Sequence, residues 1–150
     1  MRRIHVGSDH AAVGLRLEVV AHLRELGHSV TEIGPLEGER CDYPDHAATV
    51  ARAVSSGASD LGVLVCGTGI GVSIAANKIP GVRAALVHDI TTATLAAQHN
   101  NANVLCVGGR LLAPQLALEL VDAWLSTPFE TRHQHRLDKI TALEGPTTDG

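Results

Sequence analysis

Aromatic side chains are nearly missing from this chain: one Phe, one Trp and one Tyr, 2% of 150 residues. The core must therefore be assembled from Ala, Val, Leu and Ile, and a 45% hydrophobic content supplies them. So few rings, with a net charge of −4, speak against a nucleic-acid surface, which needs a basic excess and stacking platforms. No apolar run approaches the ~20 residues that cross a bilayer, so no membrane segment is expected. Met1-Arg2-Arg3 leads at once into the strand-like Ile4-His5-Val6, without the apolar stretch of a signal peptide. Cysteine is scarce too. Cys41, Cys66 and Cys106 are odd in number, far apart and form no C-x-x-C pair. Free thiols in a reducing cytoplasm are the expectation, not a disulfide framework.

What the chain does have is a regular alternation of short apolar runs and amphipathic stretches. The pattern predicts strands over 4–6, 30–33, 61–66, 82–87 and 104–107. Between the first two, Leu15, Val19, Leu23 and Leu26 recur at helical spacing, and Gly27 sits where a helix ends. Asp45 is placed to N-cap a helix through Val54 that Gly57 stops. Further helices are expected up to 78, over 92–98, over 114–126 from Pro114, and over 130–143. Residues 34–45 read as a loop and 145–150 as a disordered tail. The whole reads as one α/β domain, 1–144: a Rossmann-like, doubly wound sheet of five parallel strands in the order 2-1-3-4-5, flanked by helices. Ligands of such sheets bind beyond the carboxyl ends of the strands, here between strands one and three. Two loops meet there, Gly7-Ser8-Asp9-His10 and Cys66-Gly67-Thr68-Gly69-Ile70-Gly71.

Three alternating glycines directly after a buried strand can turn successive backbone N–H groups toward one place, a cradle for an anion. The dinucleotide pattern G-x-G-x-x-G fails at Val72, and no Gly-Lys-Ser/Thr completes a P-loop. Cys66 faces this cradle, positioned as a nucleophile or general base, whereas Cys41 and Cys106 have no such company. A tyrosine-phosphatase reading is disfavoured, because Val72 stands where the phosphate-binding Arg belongs. Asp9-His10 and His99-Asn100 add a carboxylate and imidazoles, the groups that shuttle protons between carbon and oxygen. Arg132 and Arg136, four apart, are expected on one helix face as a phosphate clamp that Arg110 can join. His133 and His135 point to different sides of that helix with no carboxylate or thiol beside them, so no metal is expected.

These residues carry a resemblance. Gly7-Ser8-Asp9-His10, Asp42-Tyr43-Pro44, the block from Cys66 to Lys78, Gly81-Val82-Arg83-Ala84, His99 to Leu105, Gly109-Arg110 and Arg132-x-x-x-Arg136 run in order along nearly the whole chain. The sequence resembles type B ribose-5-phosphate isomerases, a family that also holds galactose- and allose-6-phosphate isomerases. The resemblance implies that Cys66 is the base moving a proton between C1 and C2 of the open-chain sugar. It implies that the N–H groups of Gly67, Gly69, Ile70 and Gly71, with Thr68, hold the cis-enediolate. His99, aided by Asp9, would open the furanose ring. Tyr43 would pack against the sugar and Asn100 bind a hydroxyl, while His10, Arg110, Arg132 and Arg136 would take the phosphate. Some members replace the Cys and use a Glu near the end of the loop; here Cys66 is present and the loop ends in Ile70-Gly71. It further implies a homodimer or dimer of dimers with sites at the subunit interface, and no cofactor. The expected activity is a cytoplasmic aldose–ketose isomerase acting on ribose 5-phosphate. The alternatives are the same chemistry on a tetrose 4-phosphate, an allose or galactose 6-phosphate or a free aldose, or a non-catalytic phosphosugar-binding module.

Overall fold

Apolar, β-branched runs become strands here, and helices cover both faces of the sheet they make. The structure is a computed structural model describing residues 1–146; residues 147–150, most of the segment read as a disordered tail, lie outside the described residues. In chain order the elements are β1 (Arg3–Ser8), α1 (Val13–Glu25), β2 (Ser29–Ile33), α2 (Tyr43–Ser55), β3 (Leu61–Cys66) and α3 (Ile70–Ala76). They continue with β4 (Ala84–Leu86), α4 (Ile90–Gln98), β5 (Val104–Gly108), α5 (Pro114–Ser126) and α6 (Gln134–Ala142). Single 3-10 turns precede α1 (His10–Ala12) and α6 (Thr131–His133).

All strand pairings are parallel, as expected of strands alternating with helices. Their order is β2-β1-β3-β5-β4, which corrects the expected 2-1-3-4-5. Burial explains the exchange. Val104, Leu105, Cys106 and Val107 of β5 are wholly buried, as a strand covered on both faces must be. The three residues of β4 are only half-buried and form the edge. Passing from β4 back to β5 reverses the direction of travel across the sheet, so a right-handed crossover carries α4 to the face of α1 and α5. There Ala93, Ala96 and Ala97 pack with Ile4, Val6, Val63, Val65, Leu105 and Val107. The alternate residues Leu64, Cys66, Val104 and Cys106 face α2 and α3.

Several boundaries also move. The cap of α2 is Asp42, not Asp45, which lies in the first turn with Pro44. An acidic residue there still favours the helix dipole, so Asp45 helps the helix without capping it. The segment 130–143 is a 3-10 turn followed by α6, not one continuous helix. The helix from Pro114 to Ser126 and the left-handed Gly27 (φ +90°) that follows α1 stand as read. Among the described residues, no helix is long and apolar enough to cross a membrane.

Candidate active site

The carboxyl ends of β1, β3 and β5 lie side by side, and each delivers a loop to the same place. Asp9 N–H donates to the Val65 carbonyl (3.3 Å), tying the first loop to β3. Gly109 N–H donates to the Cys66 carbonyl (2.8 Å) and Arg110 N–H to the Gly67 carbonyl (3.0 Å), tying the third. The corrected strand order matters at this point. With β5 beside β3, the Arg110 stem lies against Gly67, where an added Cβ would come within 3.3 Å of its Cδ.

Cys66 ends β3, 5% exposed, and its Sγ accepts the Gly69 N–H at 3.1 Å. An N–H donated to sulfur stabilises negative charge there. Gly69 can make this bond because it is left-handed (φ +79°) and packed against Leu86 and Val107; a Cβ would lie 2.6 Å from Leu86 Cδ1. Thr68 Oγ1 accepts the Ile70 N–H at 3.2 Å. Two of the loop's N–H groups are thus bonded within the chain, and the cradle is smaller than the glycine spacing alone predicts. Burial pushes the Cys106 and Cys41 thiols up, which leaves both protonated and matches their structural reading.

Tyr43 opens α2, and its ring covers Gly71, where an added Cβ would fall 2.5 Å from Cζ. Asp9 is 8% exposed and accepts the Ala11 N–H at 3.0 Å. His10 Nδ1 lies between the Cys41 carbonyl (3.1 Å) and the Cys41 N–H (3.3 Å). Arg16 was missed by the sequence reading, although a lone Arg beside Leu15 on an apolar helix stripe is a signal. It is 2% exposed and donates to Ser8 Oγ (2.9 Å), Glu32 Oε1 (3.1 Å) and the Pro35 carbonyl (2.7 Å). It braces the Asp9 loop from below.

The remaining site residues are elsewhere. Helix α4 starts beyond the carboxyl end of β4 and runs back, so His99 and Asn100 lie where β5 begins. There the Gly62 N–H, at the start of β3, donates to the Asn103 carbonyl (2.9 Å). From Gly62 to Cys66 the strand advances about 13 Å, at ~3.3 Å per residue. His99 and Asn100 are therefore at the opposite end of the sheet from Cys66. Glu130 N–H donates to the Gln98 carbonyl (2.9 Å), which brings Arg132, His133 and Arg136 to the His99 end as well.

Arg132 lies in the 3-10 turn and Arg136 in the α6 that continues it, and both reach the same Glu130–His133 cluster. Arg132 Nε pairs with Glu130 Oε2 (2.7 Å), while Arg136 Nη1 bonds His133 Nδ1 (2.6 Å). His133 has a carboxylate neighbour after all: His99, Glu130 and His133 bring potential ligand atoms within 4.8 Å of one another. The set is a poor fit for a cation, since Arg132 holds the carboxylate. A guanidinium can only donate, so Arg136 occupies the Nδ1 lone pair and forces the His133 proton onto Nε2, leaving neither ring nitrogen free for a metal. Glu130 and His133 are the residues that spacing missed; the one signal was the position of His133 between two candidate phosphate arginines.

Comparison with known proteins shows the family. The model of the Ribose/Galactose Isomerase family matches residues 4–140. Ribose-5-phosphate isomerase B of Escherichia coli (strain K12) is 48% identical over 145 residues, 96% of this chain and 97% of that protein. The type B ribose 5-phosphate isomerase of Trypanosoma brucei superposes with a TM-score of 0.92 at 48% identity, over 96% of this chain and 99% of that one. The ribose-5-phosphate isomerase B of Mycoplasma genitalium, solved with bound ribulose-5-phosphate, gives a TM-score of 0.92 at 43% identity, over 97% of both chains.

Proposed function

The chain belongs to the ribose/galactose isomerase family, and from that premise we propose that it interconverts ribose 5-phosphate and ribulose 5-phosphate. The observation that carries the reading is Cys66: a thiol at the end of a central strand, receiving the Gly69 N–H inside a loop roofed by Tyr43 and flanked by Arg110. Its thiolate takes the proton from C2 of the open-chain aldose. Negative charge moves to the C1 oxygen, where N–H groups of the 67–71 loop and Thr68 stabilise the cis-enediolate. As the O2 proton passes to O1, the thiol returns the proton to C1 and the ketose forms. Ring opening comes first: His99, with Asp9, removes the O1 proton and delivers one to the ring oxygen. Tyr43 packs on the sugar, Asn100 binds a hydroxyl, and His10, Arg110, Arg132 and Arg136 hold the phosphate. A thiol base and N–H donors suffice for this chemistry, which calls for neither metal nor organic cofactor.

Because Cys66 and His99 sit at opposite ends of one sheet, the site is completed across a homodimer, or dimer of dimers, with His99, Asn100, Arg132 and Arg136 coming from the second subunit. The apolar groove of about 460 Å³ beside the unpaired edge strand β4, lined by Arg83, Leu86, Asn100 and Ile140 among others, supports an interface on that side. A thiol base must stay reduced, and the free thiols of Cys41, Cys66 and Cys106 support the reading of a cytoplasmic enzyme. The test is proton NMR of ribose 5-phosphate in D2O with EDTA present. Ribulose 5-phosphate carrying deuterium next to the carbonyl is the expected result. Deuterium exchange without conversion would mean a different sugar phosphate, and an inert sample would leave a binding module.

A further inference from the structure

His133 is 4% exposed at a cluster whose other polar members are partly or fully open to solvent. Its ring lies 4.5 Å from that of His99, tilted by 42°. On its other side Arg136 Nη1 bonds Nδ1 at 2.6 Å, which leaves the proton on Nε2. That Nε2–H is buried and has no hydrogen-bond partner among the described residues. Glu130 Oε2 stands 3.8 Å away, beyond bonding reach, and is held there by Arg132, with Gln98 on the other oxygen at 2.7 Å. A buried unpaired donor is costly, and one kept in place wants a reason. The His99 ring itself makes no side-chain hydrogen bond among the described residues; its packing neighbour is His133.

We propose that His133 is a positioning residue for ring opening: its imidazole sets the plane of the His99 ring and couples that ring to Arg136, so that gripping the phosphate and presenting His99 to the sugar occur together. This rests on the reading of His99 as the ring opener and of Arg136 as a phosphate ligand. The two arginines are parked on Glu130 and His133 in this structure. A bound phosphate, a stronger partner for a guanidinium than a neutral ring, would draw Arg136 toward it and shift His133 against His99.

Ribose 5-phosphate is a closed furanose in solution, whereas ribulose 5-phosphate, with its 5-hydroxyl blocked, has no ring to open. Two readouts therefore separate ring opening from proton transfer: conversion of ribose 5-phosphate, and solvent-deuterium exchange into ribulose 5-phosphate. His133→Asn keeps an acceptor for Arg136 and removes the ring. It should lower kcat for conversion on the order of 10- to 100-fold, the scale of a misplaced catalytic group, with exchange held within about twofold. His133→Phe restores the ring but not the acceptor. It should recover most of kcat and raise KM for ribose 5-phosphate. Equal loss of conversion and exchange in His133→Asn, or no loss of either, overturns the proposal. Wild-type protein inert toward ribose 5-phosphate would remove the isomerase reading beneath it, and normal conversion by His99→Asn would remove the role of His99. Both are separable from a failure confined to His133.

Discussion

Cys66 and Gly69 share one hydrogen bond, and the chemistry of the first cluster turns on it. Replacing Cys66 with Ala removes the proposed base and leaves the loop backbone in place. Turnover should fall by at least ~10³-fold in the NMR assay while inorganic phosphate still binds. Gly69→Ala is a different injury. Its Cβ would collide with Leu86 and Val107 in a left-handed backbone, so about 1–3 kcal/mol of stability should be lost in urea unfolding, together with turnover. Two histidines set a pH dependence. Burial lowers His133 and His5 below the ordinary 6.5, with Arg132 and His99 adding repulsion at His133. Both take up a proton less readily in the folded state than in the unfolded chain. Stability should therefore decline as pH falls below about 6.5, and the double variant His5→Gln/His133→Phe should flatten that decline between pH 7.5 and 5.5. At this scale Cys66 and its loop were legible, because glycine spacing after an apolar strand has few interpretations. The environment of His99 was not, since 3.6-residue spacing says nothing about a 3-10 turn arriving from thirty residues further on.

At the level of elements, each strand and helix was recognisable and one placement was wrong. β4 and β5 both read as apolar runs, and only burial separates the centre from the edge. The signal was available: residues 104–107 contain no polar side chain, while Arg83 interrupts the run before β4. The misplacement had a consequence, because an edge position for β5 would carry Arg110 away from Gly67. The loop between α4 and β5, which holds His99 and Asn100, is secured by α5 through one buried bond, Trp124 Nε1 to the Ala102 carbonyl at 2.9 Å. Trp124→Phe leaves that carbonyl without its partner. It should cost about 1–3 kcal/mol in urea unfolding and speed amide exchange over residues 99–103 more than over β3.

For the whole molecule, the opposed positions of Cys66 and His99 are the central fact. No single-chain sheet of this order can bring them together, and the signal was in the sequence: Cys66 ends a strand and His99 ends a helix, which in a parallel alternation puts them at opposite ends of the sheet. On the proposed reading a second copy supplies the missing half. The most direct test mixes two inactive variants, Cys66→Ala and His99→Asn, refolded together so that subunits reassort. In a mixed dimer one site carries both lesions and the other carries neither. Conversion of ribose 5-phosphate should return to about a quarter of the wild-type rate, half the dimers being mixed and half their sites intact. Mixed dimers demonstrated by mass and yet as inactive as either parent would contradict it, since Cys66 and His99 would then have to act within one chain.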